Sequence, residues 1–102
     1  MDYHLIVHKN SVLYQIENMN TNKERRNLAR KAGETIKSLL RGDQENILEI
    51  PRGQDPRKIP DEIESGDRVI LYGGIHGFCL SGTLLTLRLM GVKAEYHPNG
   101  FI

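Results

Sequence analysis

The sequence predicts an α/β protein with a small, mainly parallel sheet built from two strand–helix–strand motifs in a Rossmann-like arrangement. Three observations carry this. The segment from Asp67 to Gly100 runs as strand, glycine loop, apolar helix, glycine stop and strand; residues 3–53 repeat that order more loosely; and at 102 residues the chain suffices for one domain. Motif one spans about 3–53, a connection follows over 54–66, and motif two spans 67–100. Short strand–helix–strand connections are right-handed parallel crossovers in nearly all cases.

The first strand covers Tyr3 to His8 around Leu5, Ile6 and Val7. Ser11 to Ile16 alternates and reads either as a hairpin extension or as the start of a loop. A helix is expected over Thr21 to Arg41, with Leu28, Ala32, Ile36, Leu39 and Leu40 on its buried face. Thr21 and Glu24 form a capping box at its start, and Gly42 is the expected terminator. Asn46 to Ile50 is the second strand, closed by Pro51-Arg52-Gly53 much as Pro98-Asn99-Gly100 closes motif two. Identity between the motifs is slight, so internal duplication is an expectation secondary to the parallel architecture.

Gln54 to Gly66 holds two prolines and several acidic residues and reads as a surface connection, with one helical turn after Pro60. Val69 to Tyr72 is the third strand. Gly73-Gly74-Ile75-His76-Gly77 then gives the backbone freedom to turn and to approach a bound group, at the point where a helix starts and presents unpaired N–H groups. That helix, about Phe78 to Met90, is apolar nearly all round and is expected to be buried on more than one side. Gly91 ends it, and Val92 to Tyr96 returns as the fourth strand.

Composition narrows the function classes. Net charge is +1, so no global field favours nucleic acid or a membrane surface. The helix over 21–41 carries Lys23, Arg26, Arg30, Lys37 and Arg41 opposite its apolar stripe. Such a stripe is more often a solvated face than a phosphate-tracking one, so nucleic acid is not an expected partner. The single cysteine, Cys79, excludes an internal disulfide and fits a reducing, cytoplasmic setting. The segment MDYHLIVHKN does not read as a signal peptide, and no run reaches the length of a membrane span.

Parallel strands bring their C-terminal ends to one edge, where open α/β sheets bind ligands. The candidate ligand-binding residues there are Gly73, Gly74, His76, Gly77, Ser81, His97, Lys9 and Arg52. Cys79 is a candidate nucleophile with His76 or His97 as base, because a helix N-terminus and nearby cations lower a thiol pKa; its apolar neighbours Phe78, Leu80 and Leu84 equally describe packed core. The histidine and cysteine spacing matches no zinc pattern, so neither a metal nor a cofactor is expected.

The spacing Gly73, Cys79, Thr83, Gly91 resembles the nucleophile region of isochorismatase-like cysteine hydrolases, a strand followed by G-x5-C-V-x2-T, a later glycine and a second strand. That resemblance implies a thiol hydrolase whose cysteine works with an aspartate at the end of the first strand and a lysine; this chain has His8 and Lys9 where the aspartate is wanted. The same segment resembles rhodanese-like and dual-specificity phosphatase loops, with Gly77 and Ser81 aligned. Gly74 then stands in the place of the cysteine and Leu80 in that of the arginine, which implies a catalytically dead relative. The glycine loop, apolar helix and histidines are also similar to small CRISPR-associated ring nucleases, which implies binding of cyclic oligoadenylate by a dimer.

The leading expectation is binding without catalysis: a peptide, a partner protein or an anionic small molecule held at the loop 73–77 and in the groove between the two motifs. Thiol hydrolysis through Cys79 is the alternative, and a cyclic-oligonucleotide-binding or ring-nuclease-like protein the next. Because the second helix carries so much apolar surface for so short a chain, a homodimer is expected to cover what remains.

Overall fold

Leu5, Ile6 and Val7 are buried without residual exposure, the signature of a strand covered on both faces, and the sheet is built around them. The computed structural model describes residues 1–9, 23–42, 44–51, 53–73 and 80–101. Strand β1 (Asp2–Val7) pairs in parallel with β2 (Ile47–Ile50) on one side and β3 (Arg68–Tyr72) on the other, and β4 (Lys93–Tyr96) pairs in parallel with β3. The order is β2-β1-β3-β4. Helix α1 (Lys23–Arg41) links β1 to β2, and helix α2 (Ser81–Leu89) links β3 to β4. This is the small parallel α/β fold that the sequence predicts.

The chain leaves β1 toward one edge of the sheet and β3 toward the other. Crossovers of one hand running in opposite directions carry their helices to opposite faces. The strand alternation agrees. Tyr3, Leu5, Val7, Val69, Leu71 and Ala94 pack with Leu80 and Leu87, whereas Ile6 and Tyr72 pack with Ala32, Ile36 and Leu39 of α1. The motifs thus share their order but differ in helix length, 19 residues against nine, and in the sheet face they cover.

The structure corrects four local expectations. On α1 the buried apolar side chains are Ala29, Ala32, Ile36 and Leu39, while Leu28 and Leu40 are nearly half exposed. At roughly 100° per residue, Leu28 and Leu40 fall on opposite flanks of the arc that faces the sheet; a strict i, i+4 row drifts off the stripe. Gly42 follows the helix, and its N–H donates to the Ser38 carbonyl at 3.1 Å, but among the described residues the left-handed glycines are Gly53, Gly66, Gly73 and Gly91. Gly91 therefore ends α2 as expected and Gly42 does not play the same part for α1. Thr21, the capping box and Ser11 to Ile16 lie outside the described residues.

Helix α2 buries one face only. Leu80, Thr83 and Leu87 are enclosed, and Leu85 (61% exposed), Leu89 (80%) and Met90 (38%) are not. A four-stranded sheet offers the helix a single surface, and among the described residues nothing lies over its other side. Phe78 and Cys79 are outside the described residues.

The connection over 54–66 is also more than surface chain. Ile63 is buried and Ile59 packs on the same cluster, beside Leu48 and Ile50, so the segment covers the α2 face of the sheet where α2 does not reach. The expected turn after Pro60 is a single bond, Ile63 N–H to the Pro60 carbonyl at 3.2 Å. The buried Thr83 hydroxyl donates to the Pro56 carbonyl at 2.6 Å and ties the connection to α2.

Candidate functional site in the groove between the two motifs

The strands end together at His8, Gly73 and His97. His8 has φ 52, an uncommon conformation for a residue with a side chain. Its N–H continues the ladder to the Ile50 carbonyl at 2.9 Å, and its buried ring meets the Gln54 carbonyl through Nε2 at 2.9 Å. Gly73 has φ 82, and a Cβ placed on it would stand 2.6 Å from the Val7 carbonyl oxygen; only glycine lets β1 and β3 stay this close where they diverge. Its N–H donates to the Gly100 carbonyl, and His97 N–H donates to the Leu71 carbonyl at 3.0 Å. The last described turn is thereby folded back over the end of β3.

Between the flank of α1 and the ends of β3 and β4 lies an open groove of about 630 Å3, within the usual range for small-molecule sites. Lys31, Glu34, Thr35, Ser38 and Leu39 form one wall, roughly 12 Å of helix at 1.5 Å per residue. His4, Tyr72, His97 and Asn99 form the other, and Gly42 and Gln44 line it as well. It opens because α1 crosses toward β2 and leaves its own face of the sheet uncovered above β3 and β4. The two walls meet where the Thr35 hydroxyl donates to the Lys31 carbonyl at 2.7 Å and to the Asn99 carbonyl at 3.2 Å.

Three rings organise the second wall. Tyr72 lies between the two histidines, with its centroid 5.7 Å from that of His4 and 5.1 Å from that of His97. The Tyr72 and His97 planes differ by 24°, a stacked pair. The Tyr72 hydroxyl and His4 Nδ1 share a hydrogen bond of 2.8 Å, and burial pushes the phenol pKa up. The phenol accordingly keeps its proton at neutral pH and is able to donate it to His4 Nδ1. His97 Nδ1 accepts the Asn99 N–H at 3.2 Å, which leaves the proton of the neutral ring on Nε2. Gly100 closes the cluster from behind, since a Cβ there would stand 2.8 Å from Tyr72 Cδ2 and 3.1 Å from His97 Cβ.

Of the residues the sequence singles out, Gly73 and His97 lie at this edge, and His97 lines the groove. Lys9 is near the edge and pairs with Glu49 at 3.3 Å. Ser81 is exposed at the first position of α2. Gly74, His76, Gly77, Cys79 and Arg52 are outside the described residues. Sequence reasoning missed His4, Lys31, Thr35, Tyr72 and Asn99. One signal was present: His4 interrupts an otherwise apolar strand, and strand alternation puts it on the same face as Ile6 and Ile47.

Among the described residues no three of histidine, cysteine, aspartate and glutamate stand close enough together to hold a metal ion, and no helix is long and apolar enough to cross a membrane. No protein-family model, curated protein or solved structure matches this chain. Fold and groove together define its class, a parallel α/β protein with an open groove between its longer helix and the part of the sheet that this helix leaves uncovered.

Proposed function

We propose that this protein is a non-catalytic binding protein that holds an anionic small ligand in the groove between α1 and the ends of β3 and β4. The observation that carries the proposal is the composition of the groove. Lys31, His4 and His97 supply cation-forming or N–H-donating nitrogens against one carboxylate, Glu34, and Thr35, Ser38, Gln44 and Asn99 add short-range hydrogen-bonding groups.

The test is a thermal-shift panel of small phosphates and carboxylates. At least one is expected to raise Tm in proportion to the logarithm of its concentration, as any ligand of the native state does. Raising the salt is expected to weaken the effect, and Lys31→Glu, at an exposed position, to abolish it without changing the unliganded Tm. A panel without any shift overturns the proposal. Rapid alkylation of native Cys79, with a depressed thiol pKa, overturns its non-catalytic part in favour of thiol hydrolysis.

Self-association belongs to the same proposal. Leu85, Leu89 and Met90 lie exposed on α2, and a second copy of the chain is the proposed cover. Light scattering at micromolar concentration is expected to give a dimer mass, and Leu89→Lys a monomer. A monomeric parent protein ends this part.

A further inference from the structure

The ring cluster and Lys31 line the same groove. The turn after β4 is tied to α1 where the Thr35 hydroxyl reaches the Asn99 carbonyl, and Lys31 lies one turn earlier on the same helix, in the lining of the same groove. Tyr72 is 3% exposed and is stacked on His97, so the ring surface left to the groove at this end is that of the half-buried His97. Its orientation is fixed by the Asn99 N–H on Nδ1 and by Gly100 behind it. An imidazole held flat on a buried phenol is a platform for a planar ring, and histidine is among the side chains on which nucleobases stack. Lys31, on the facing wall of the same groove, suits a negative charge elsewhere on the same ligand.

We infer that the ligand of this groove is a nucleoside phosphate, with its base stacked on His97 and its phosphate beside Lys31. The inference rests on the anion-binding function proposed above and adds the requirement for an aromatic base. Inorganic phosphate fills only the Lys31 end. A sugar phosphate lacks the plane that His97 offers. The hydroxyls and amides along the wall, Thr35, Ser38 and Asn99, are neutral partners of the kind a ribose and a base edge need.

The experiment is calorimetric titration of the full chain with AMP, GMP, CMP and UMP, and with ribose 5-phosphate and inorganic phosphate. At least one nucleoside monophosphate is expected to bind ten-fold or more tighter than ribose 5-phosphate, the margin that stacking of one base supplies. His97→Leu is expected to remove that margin, weakening the nucleotides by ten-fold or more and ribose 5-phosphate by a smaller factor. His97→Phe, which keeps a ring, is expected to restore most of it, and Lys31→Met to weaken both ligands together. Ribose 5-phosphate binding within three-fold of every nucleotide overturns the inference and leaves anion binding standing; no binding by any of the six overturns the inference, and the thermal-shift panel with carboxylates then decides the anion-binding function. The comparison of ligands on the parent protein holds even if a His97 variant does not fold.

Discussion

Replacing Gly73 by alanine is expected to lower the unfolding free energy by about 3–5 kcal/mol, a large share of the roughly 5–15 kcal/mol typical of a native domain. Two effects add. At φ 82 a side chain costs roughly 1–2 kcal/mol through its contact with the adjacent carbonyl. The new Cβ also stands 2.6 Å from the Val7 carbonyl oxygen, and that atom is backbone of the central strand, which cannot turn aside as a side chain does. Either β1 and β3 move apart at their ends or the turn after β3 is re-formed. Gly53→Ala is the control. Its φ is 96 with nothing within 4 Å of the added atom, so it carries the conformational penalty alone. Urea unfolding of both variants separates the two effects, and equal losses at the two positions would show that the close approach of Val7 contributes nothing.

The second large effect is a contrast on one helix. Leu87→Ala is expected to cost about 2–5 kcal/mol, because it removes a fully buried side chain between α2 and the sheet and leaves a cavity. Leu85→Ala, two positions earlier and 61% exposed, is expected to change stability by no more than about 0.5 kcal/mol. Measured at a protein concentration low enough to keep the chain monomeric, the pair tests directly the one-sided burial of α2. Equal losses would mean that α2 is covered on both sides, as its composition first implied.

Much of the fold is legible in the sequence because it depends on local pattern. Val69 to Tyr72 and Leu5 to Val7 are runs that suit buried parallel strands, and Gly91 marks its helix end by a conformation that glycine adopts readily. The burial of α2 departs from what its composition predicts for a physical reason. An apolar residue such as Leu85 records what a side chain prefers, whereas burial depends on how much surface the rest of the chain has to set against it. The role of Ile63 was hidden in the same way, since a polar, proline-rich segment becomes a cover for core only once the sheet exists beneath it. The groove was the least legible part. Lys31 and Thr35 come from the side of one helix, and His97 and Asn99 from beyond the end of a distant strand; they meet because α1 crosses toward β2 and the turn after β4 folds back over Tyr72. No spacing along the chain encodes that meeting. His97 was accessible to reasoning because strand ends can be located, but Tyr72 reads simply as a strand aromatic until its neighbours are known.

The central strand imposes an order on folding. His4 is in register with Ile47 on one side and with Ile70 on the other, so β1 gains its first neighbour only after the α1 segment has been made and its second only after the connection over 54–66 has been laid down. Pairings between parts of the chain so far apart are slow to close. On a ribosome, β1 must wait with one ladder of N–H and C=O groups unmatched until β3 has emerged, and with Leu5 and Val7 accessible to other chains. Newly made chains are therefore more exposed to aggregation than the finished protein; the open edge closes when β3 takes its place against β1, and Leu5 and Val7 are covered only when α2 follows.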